Sequence, residues 1–170
     1  MKTPTNRETV DLTKFPDLVV IYLGMRVRTL TGLKSLAGLG PQIEMAGKDC
    51  PDGLLHYQNN IIFSFFPFEI GMRWYWRDFE SMEAWTRSDP HRRWWQEFLK
   101  DSGGTAFWHE TYFISGGMEA VYVDVPKPVG LQTFAPVLPA RGSSFSARSR
   151  AGRGAANSTP PDGVAESDIY

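Results

Sequence analysis

Two of the chain's three histidines, His91 and His109, fall in one stretch with three of its six tryptophans, Trp94, Trp95 and Trp108. A neutral imidazole near physiological pH can take a proton on its free nitrogen or ligate a metal, and large aromatic rings supply an apolar wall around it. The grouping therefore reads either as a small-molecule site with imidazole chemistry or as aromatic core in which each histidine merely bonds nearby backbone.

The elements that must carry these residues follow from periodicity. Residues 18–28 are β-branched and begin as a buried strand. Leu33, Leu36, Ala37, Ile43 and Met45 suggest a helix interrupted near Gly40-Pro41. Leu54 to Gln58 reads as a short strand, and the apolar run 61–68 carries Pro67, which demotes it to an edge or a loop. In residues 72–77, alternation puts Met72, Trp74 and Trp76 on one face, with Arg73, Tyr75 and Arg77 on the other.

Asp78 is a plausible N-cap for a helix through Phe79, Met82 and Trp85. Ser88 or Asp89 then caps a second helix, with Pro90 in its first turn and His91, Trp94, Trp95 and Phe98 at three- and four-residue intervals. A strand over 105–114 places His109 on the face of Phe107, Thr111 and Phe113, opposite Trp108, Glu110 and Tyr112. Glu110 is thus no local partner for His109 and is expected to pair with Arg73 or Arg77 or across a dimer. Residues 118–125 read as the strand that follows in the same sheet.

This order describes an α+β fold of the ferredoxin-like, split βαβ kind, an antiparallel sheet with helices on one face. Its bare face carries large apolar residues, so a homodimer is expected. The expected divisions are an N-terminal arm over 1–16, a domain over 17–131 and a disordered tail over 132–170, where arginine, glycine and serine dominate.

Bulk properties narrow the function. Eighteen basic against nineteen acidic residues leave a net charge of −1, which disfavours nucleic acid as a partner. One cysteine, Cys50, excludes an internal disulfide and a thiolate zinc cluster. No signal-like or membrane-spanning apolar run occurs, so a cytoplasmic protein off the membrane is expected. No Gly-rich phosphate loop and no Ser-His-Asp spacing appears, which disfavours nucleotide cofactors and serine hydrolysis.

Several blocks together resemble a known family: Gly24-Met25-Arg26-Val27, Asp52-Gly53-Leu54-Leu55, residues 75–80, His91 with Trp94, and Trp108-His109-Glu110-Thr111-Tyr112 followed by Glu119-Ala120-Val121-Tyr122. They look like the bacterial and fungal monooxygenase-like family first catalogued as a domain of unknown function, over roughly residues 17–131. The resemblance implies a dimeric α+β barrel, kin to antibiotic-biosynthesis monooxygenases, chlorite dismutases, dye-decolorising peroxidases and aldoxime dehydratases. It also implies an apolar molecule, or haem, bound between sheet and helices. The chain departs from that family in the apolar run around 63–68.

A looser similarity links Trp85-Thr86-Arg87-Ser88-Asp89-Pro90-His91, with His109 eighteen residues on, to the haem-ligand motif of aldoxime dehydratases. Asp89 replaces a histidine of that motif.

The catalytic candidates are therefore His109 and His91. The substrate-binding candidates are Trp74, Trp76, Trp94, Phe107, Thr111, Phe113 and Tyr75. Three enzymatic readings stand: a monooxygenase-like enzyme of specialised metabolism without a cofactor, acting on an apolar polyketide or terpenoid; a cyclase or pericyclase that only shapes such a substrate; and a haem enzyme with His91 on iron, the one case in which a metal is expected. A ligand-binding dimer is the non-catalytic alternative.

Overall fold

A computed structural model describes residues 5–114 and 117–151, and the chain falls into two compact units. The larger, Leu18–Phe113, holds β2 (Val19–Val27), α1 (Leu30–Lys48), β3 (Leu54–Phe65), β4 (Phe68–Trp76), α2 (Phe79–Arg87), α3 (His91–Lys100) and β5 (Thr105–Phe113). The smaller holds β1 (Arg7–Val10), β6 (Tyr122–Val123), β7 (Val137–Pro139) and α4 (Ala147–Ala151).

In the larger unit the strands lie in the order β3-β4-β2-β5 and pair antiparallel throughout, which is the ferredoxin-like sheet expected from the sequence. The β-branched β2 is internal, and its register sets Ile21 beside Trp74 and Thr111, and Leu23 beside Met72 and His109. One face therefore carries Val19, Ile21, Leu23 and Met25 with Met72, Trp74, Trp76, Phe107 and His109. The helices cover this face: Ala46 of α1 and Met82 of α2 join Val19, Met72, Trp74 and Trp76 in the core, with Ile43, Trp85 and Trp94 packed against them. Trp74, Trp76 and Trp85 form a ring cluster with centroids 5.0–6.1 Å apart, each such pair contributing about 0.5–1.5 kcal/mol beyond area burial.

On the other face, Gly24 and Gly71 are register partners, and both must be glycine. A Cβ on Gly24 would lie 2.6 Å from the Trp108 indole, and one on Gly71 would lie 1.9 Å from the Leu23 carbonyl oxygen. Phe63 packs edge-on to Trp108 over this floor, and the buried Glu69 accepts from Trp108 Nε1 (2.7 Å) and Arg26 Nε (2.6 Å).

Four local expectations are corrected. The helix at Gly40-Pro41 is not interrupted: α1 runs through Pro41, with Gln42 Nε2 donating to the Gly38 carbonyl while Ile43 and Ala46 anchor the next turn in the core. The strand read as ending at Gln58 continues to Phe65, because the polar pair Asn59-Asn60 is a bulge within β3 rather than its end; β3 is an edge strand, as Pro67 suggested. Neither Ser88 nor Asp89 caps α3, whose N-cap is Pro90. Ser88 Oγ instead donates to the Trp85 carbonyl and Asp89 pairs with Arg92. Finally, only Tyr122–Val123 of the strand expected over 118–125 is regular, and it pairs with β1 instead of β5.

The smaller unit also redraws the expected divisions. The arm contains β1, which lies between β6 and β7, and residues 132–151 are folded. Charge pairing orders them where composition suggested disorder: Arg150 is buried, donates Nε to Glu119 Oε1 at 2.7 Å and Nη1 to the Ser144 carbonyl at 3.0 Å. Phe145 is buried beneath the Arg7 guanidinium. Residues 152–170 of the expected tail lie outside the described residues. Among the described residues no helix is long and apolar enough to cross a membrane.

Candidate functional site

The site starts at the corner between α2 and α3. Asp78 caps α2, its Oδ1 accepting from the Ser81 amide at 2.7 Å, and the helix ends at Arg87 with its last carbonyls short of helical donors. His91 opens α3 and donates Nδ1–H to one of them, the Thr86 carbonyl oxygen, at 2.9 Å. A carbonyl can only accept, so the proton sits on Nδ1 and the lone pair on Nε2. The ring is held between Trp85, 4.8 Å centroid to centroid, and Trp94, 6.5 Å. Burial pushes the imidazole below the usual histidine range, the Thr86 bond opposes this, and the neighbouring His109 lowers it further.

One cavity opens beside this corner and a second adjoins it. The first, of about 70 Å³, is walled by His91, Trp85, Trp94, Trp95, Phe98 and Phe107. The second and wider, of about 250 Å³, lies under α1 against β3 and β4. They share the walls Leu23, Met25, Leu39, Ile43 and Met72. The arrangement can hold an apolar molecule against a neutral imidazole base whose free nitrogen is Nε2.

Of the residues expected from sequence, His91, Trp94 and Phe107 meet at the smaller cavity. Trp94 also ties α3 to α1, donating Nε1 to Gln42 Oε1 at 3.0 Å. Trp74 and Trp76 are buried in the core and reach His91 across a pocket of only about 30 Å³. His109 shares the helix-covered face, next to Phe107, but is exposed and outside the cavity walls. Thr111 and Phe113 continue that face beyond both cavities, Phe113 against Phe79. Tyr75 lies on the opposite face beside His56 and Arg73, so it is not a wall of this site. Glu110 accepts from the Tyr112 hydroxyl; Arg73 donates to Gln58 and Tyr22, and Arg77 to Asp52, Asp78 and Ser81.

Sequence reasoning missed the aliphatic walls and the pair Asn59 and Asn60, which line the wider cavity. The run of amides Gln58-Asn59-Asn60 directly before the apolar Ile61-Ile62-Phe63 was the available signal.

Solved structures are similar to this chain. An aldoxime dehydratase, OxdRE, crystallised with butyraldoxime, matches with a TM-score of 0.58 at 19% identity over 81% of this chain, which spans 39% of that protein's length. A putative antibiotic biosynthesis monooxygenase from Deinococcus radiodurans matches at TM-score 0.48 and 15% identity, over 59% of this chain and 97% of that one. SnoaB, a cofactor-independent oxygenase from Streptomyces nogalater, matches at TM-score 0.42 and 9% identity, over 56% and 91%. No curated protein sequence matches. The pattern of the monooxygenase af470-like family matches residues 18–131, more than half of the chain and the whole of the sheet with its helices, and the chain belongs to that family.

Proposed function

We propose that the chain is a monooxygenase-type oxidoreductase that takes an apolar intermediate of specialised metabolism, of polyketide or terpenoid character, into the cavity between sheet and helices and oxygenates it without a resident cofactor. The observation that carries this reading is the His91 imidazole, with Nδ1–H fixed on Thr86, its basicity tuned by burial, and Nε2 as its free base at an aromatic-walled cavity.

His91 Nε2 removes a proton from an activated CH₂ group of the substrate. The carbanion reduces O₂ and forms a C–O bond, and the imidazolium returns its proton to the peroxide anion. Loss of water from the hydroperoxide leaves a carbonyl, with one oxygen atom in the product and one in water, the substrate supplying all four electrons. His109, exposed on the same helix-covered face beside Phe107, is assigned to proton exchange with solvent. The reading includes a homodimer through the sheet face away from the helices, where Phe63 and Tyr112 are exposed.

The haem alternative meets a fit test on the same residues. A porphyrin is at least of drug size, for which pockets run about 300–1,000 Å³, whereas His91 opens on about 70 Å³ between two tryptophans. Haem on His91 would need the shared walls Leu23, Met25, Leu39, Ile43 and Met72 to part so that this chamber and the wider one became one, and the cofactor-free reading is preferred on that ground.

Freshly purified protein is expected to show no Soret band and to consume oxygen with an apolar carbon acid such as benzoylacetone in a His91-dependent way. A Soret band lost in His91→Ala overturns the reading in favour of haem. Turnover undiminished under anaerobiosis transfers it to the cyclase or pericyclase class.

A further inference from the structure

The proposed chemistry uses the smaller cavity and leaves the wider one, under α1, without a task. Its wall contains a device that the fold alone does not require. Gln58 pairs with Arg73 and Ile61 with Gly71, so Asn59 and Asn60 together oppose Met72. In a regular strand two successive side chains point to opposite faces; the extra residue re-aims them, and both asparagines line the cavity. Asn60 takes φ 61°, a left-handed conformation that asparagine tolerates better than most residues.

The two amides are not equivalent. Asn59 is committed: Oδ1 accepts from Trp74 Nε1 at 2.8 Å and Nδ2 donates to Glu44 Oε2 at 2.7 Å. The Asn60 amide has no protein partner among the described residues. Asn60 is an exposed residue, so its amide is offered both to solvent and to a cavity otherwise walled mainly by Leu, Ile, Met and Phe.

Above the cavity, α1 breaks helix propensity with Gly38-Leu39-Gly40-Pro41. Gly40 lines the cavity, and a Cβ there would meet nothing within 4 Å.

We infer that this cavity is the seat of the substrate's tail, and that the substrate is an elongated apolar chain ending in an oxygen. That oxygen accepts from the Asn60 amide, while the carbon that loses its proton lies in the adjoining chamber at His91. An apolar cavity of about 150 Å³ holds benzene, so about 250 Å³ takes a chain of roughly ten carbons. The inference rests on the reading of His91 as the base for its orientation, but the tail seat is tested by binding alone.

The probes are straight-chain primary alcohols from butanol to decanol, titrated calorimetrically into the full chain, with alkyl chlorides of equal length as controls. Affinity is expected to rise about fourfold per added methylene until the cavity is filled. Gly40→Leu should cut the series short, the longest alcohols losing about tenfold or more. Asn60→Gly keeps the left-handed backbone, removes the amide, and should weaken the alcohols about two- to tenfold while sparing the chlorides. Circular dichroism and unfolding midpoints confirm that both variants fold. Alcohols that bind independently of length, or a series unchanged in Gly40→Leu, overturn the tail seat; alcohols unaffected by Asn60→Gly overturn the terminal oxygen. His91→Ala should leave the alcohol series intact, so a failure of the proposed chemistry remains separate from a failure of this inference.

Discussion

His91 donates Nδ1–H to the carbonyl oxygen of Thr86, 2.9 Å away and five residues earlier in the chain. One bond thereby satisfies a carbonyl at the end of α2, orients the first side chain of α3, and assigns the imidazole lone pair to Nε2. The helix corner and the candidate base are one construction.

That bond has a spectroscopic signature. Nitrogen-15 shifts at pH 7.5 are expected to report the Nδ1–H tautomer of His91, and its titration midpoint should lie below the ordinary value of 6.5, since burial outweighs the Thr86 bond. A midpoint at or above 6.5 would contradict the buried geometry.

The same shift makes stability depend on pH. His91 and His56 both have folded-state values below 6.5, each chiefly through burial, so the unfolded chain binds protons more readily. Stability is then constant above about pH 6.5 and declines as the pH falls through 6.5 towards the lower folded values. Urea midpoints at pH 7.5 and 5.5 measure the decline, and His91→Gln should reduce it.

Replacing His91 with glutamine keeps volume and polarity but removes the base. Turnover is expected to fall by about 10²–10⁴, with the oxygen dependence of the residual rate unchanged. An undiminished rate would move the proton abstraction to another group.

Asp78 caps α2 and is held down to a pKa of about 2, first by the Ser81 hydroxyl and then by Arg77 and the Ser81 amide. Asp78→Ala should cost about 1 kcal/mol in chemical denaturation. The carboxylate's own contribution is present above 3.8 and is lost as the pH falls towards 2, so the gap between the two proteins should narrow in acid.

Gly71→Ala places a Cβ 1.9 Å from the Leu23 carbonyl oxygen, backbone that only sheet distortion can move. A loss of about 1–3 kcal/mol or more is expected, against a much smaller effect at Gly38, where a Cβ meets nothing within 4 Å. Equal destabilisation at the two positions would refute the packing argument.

Periodicity alone determined most of this architecture. Alternation in 72–76 put Met72, Trp74 and Trp76 on the covered face, and alternation in 105–113 put His109 with Phe107, because strand side chains repeat every two residues whatever the partner. The Asp78 cap was equally legible, since capping is local chemistry.

Tertiary structure decided what local patterns cannot encode. Pro41 reads as a break, yet packing of the following turn keeps α1 whole; Asn59-Asn60 reads as an end, yet pairing with β4 makes it a bulge. Arg150 reads as tail until it finds Glu119 thirty-one residues away. The two histidines were visible as a pair, but only the helix corner at Thr86 distinguished the half-buried base from the exposed ring, because burial and the tautomer depend on groups brought together from α2, α3 and β5.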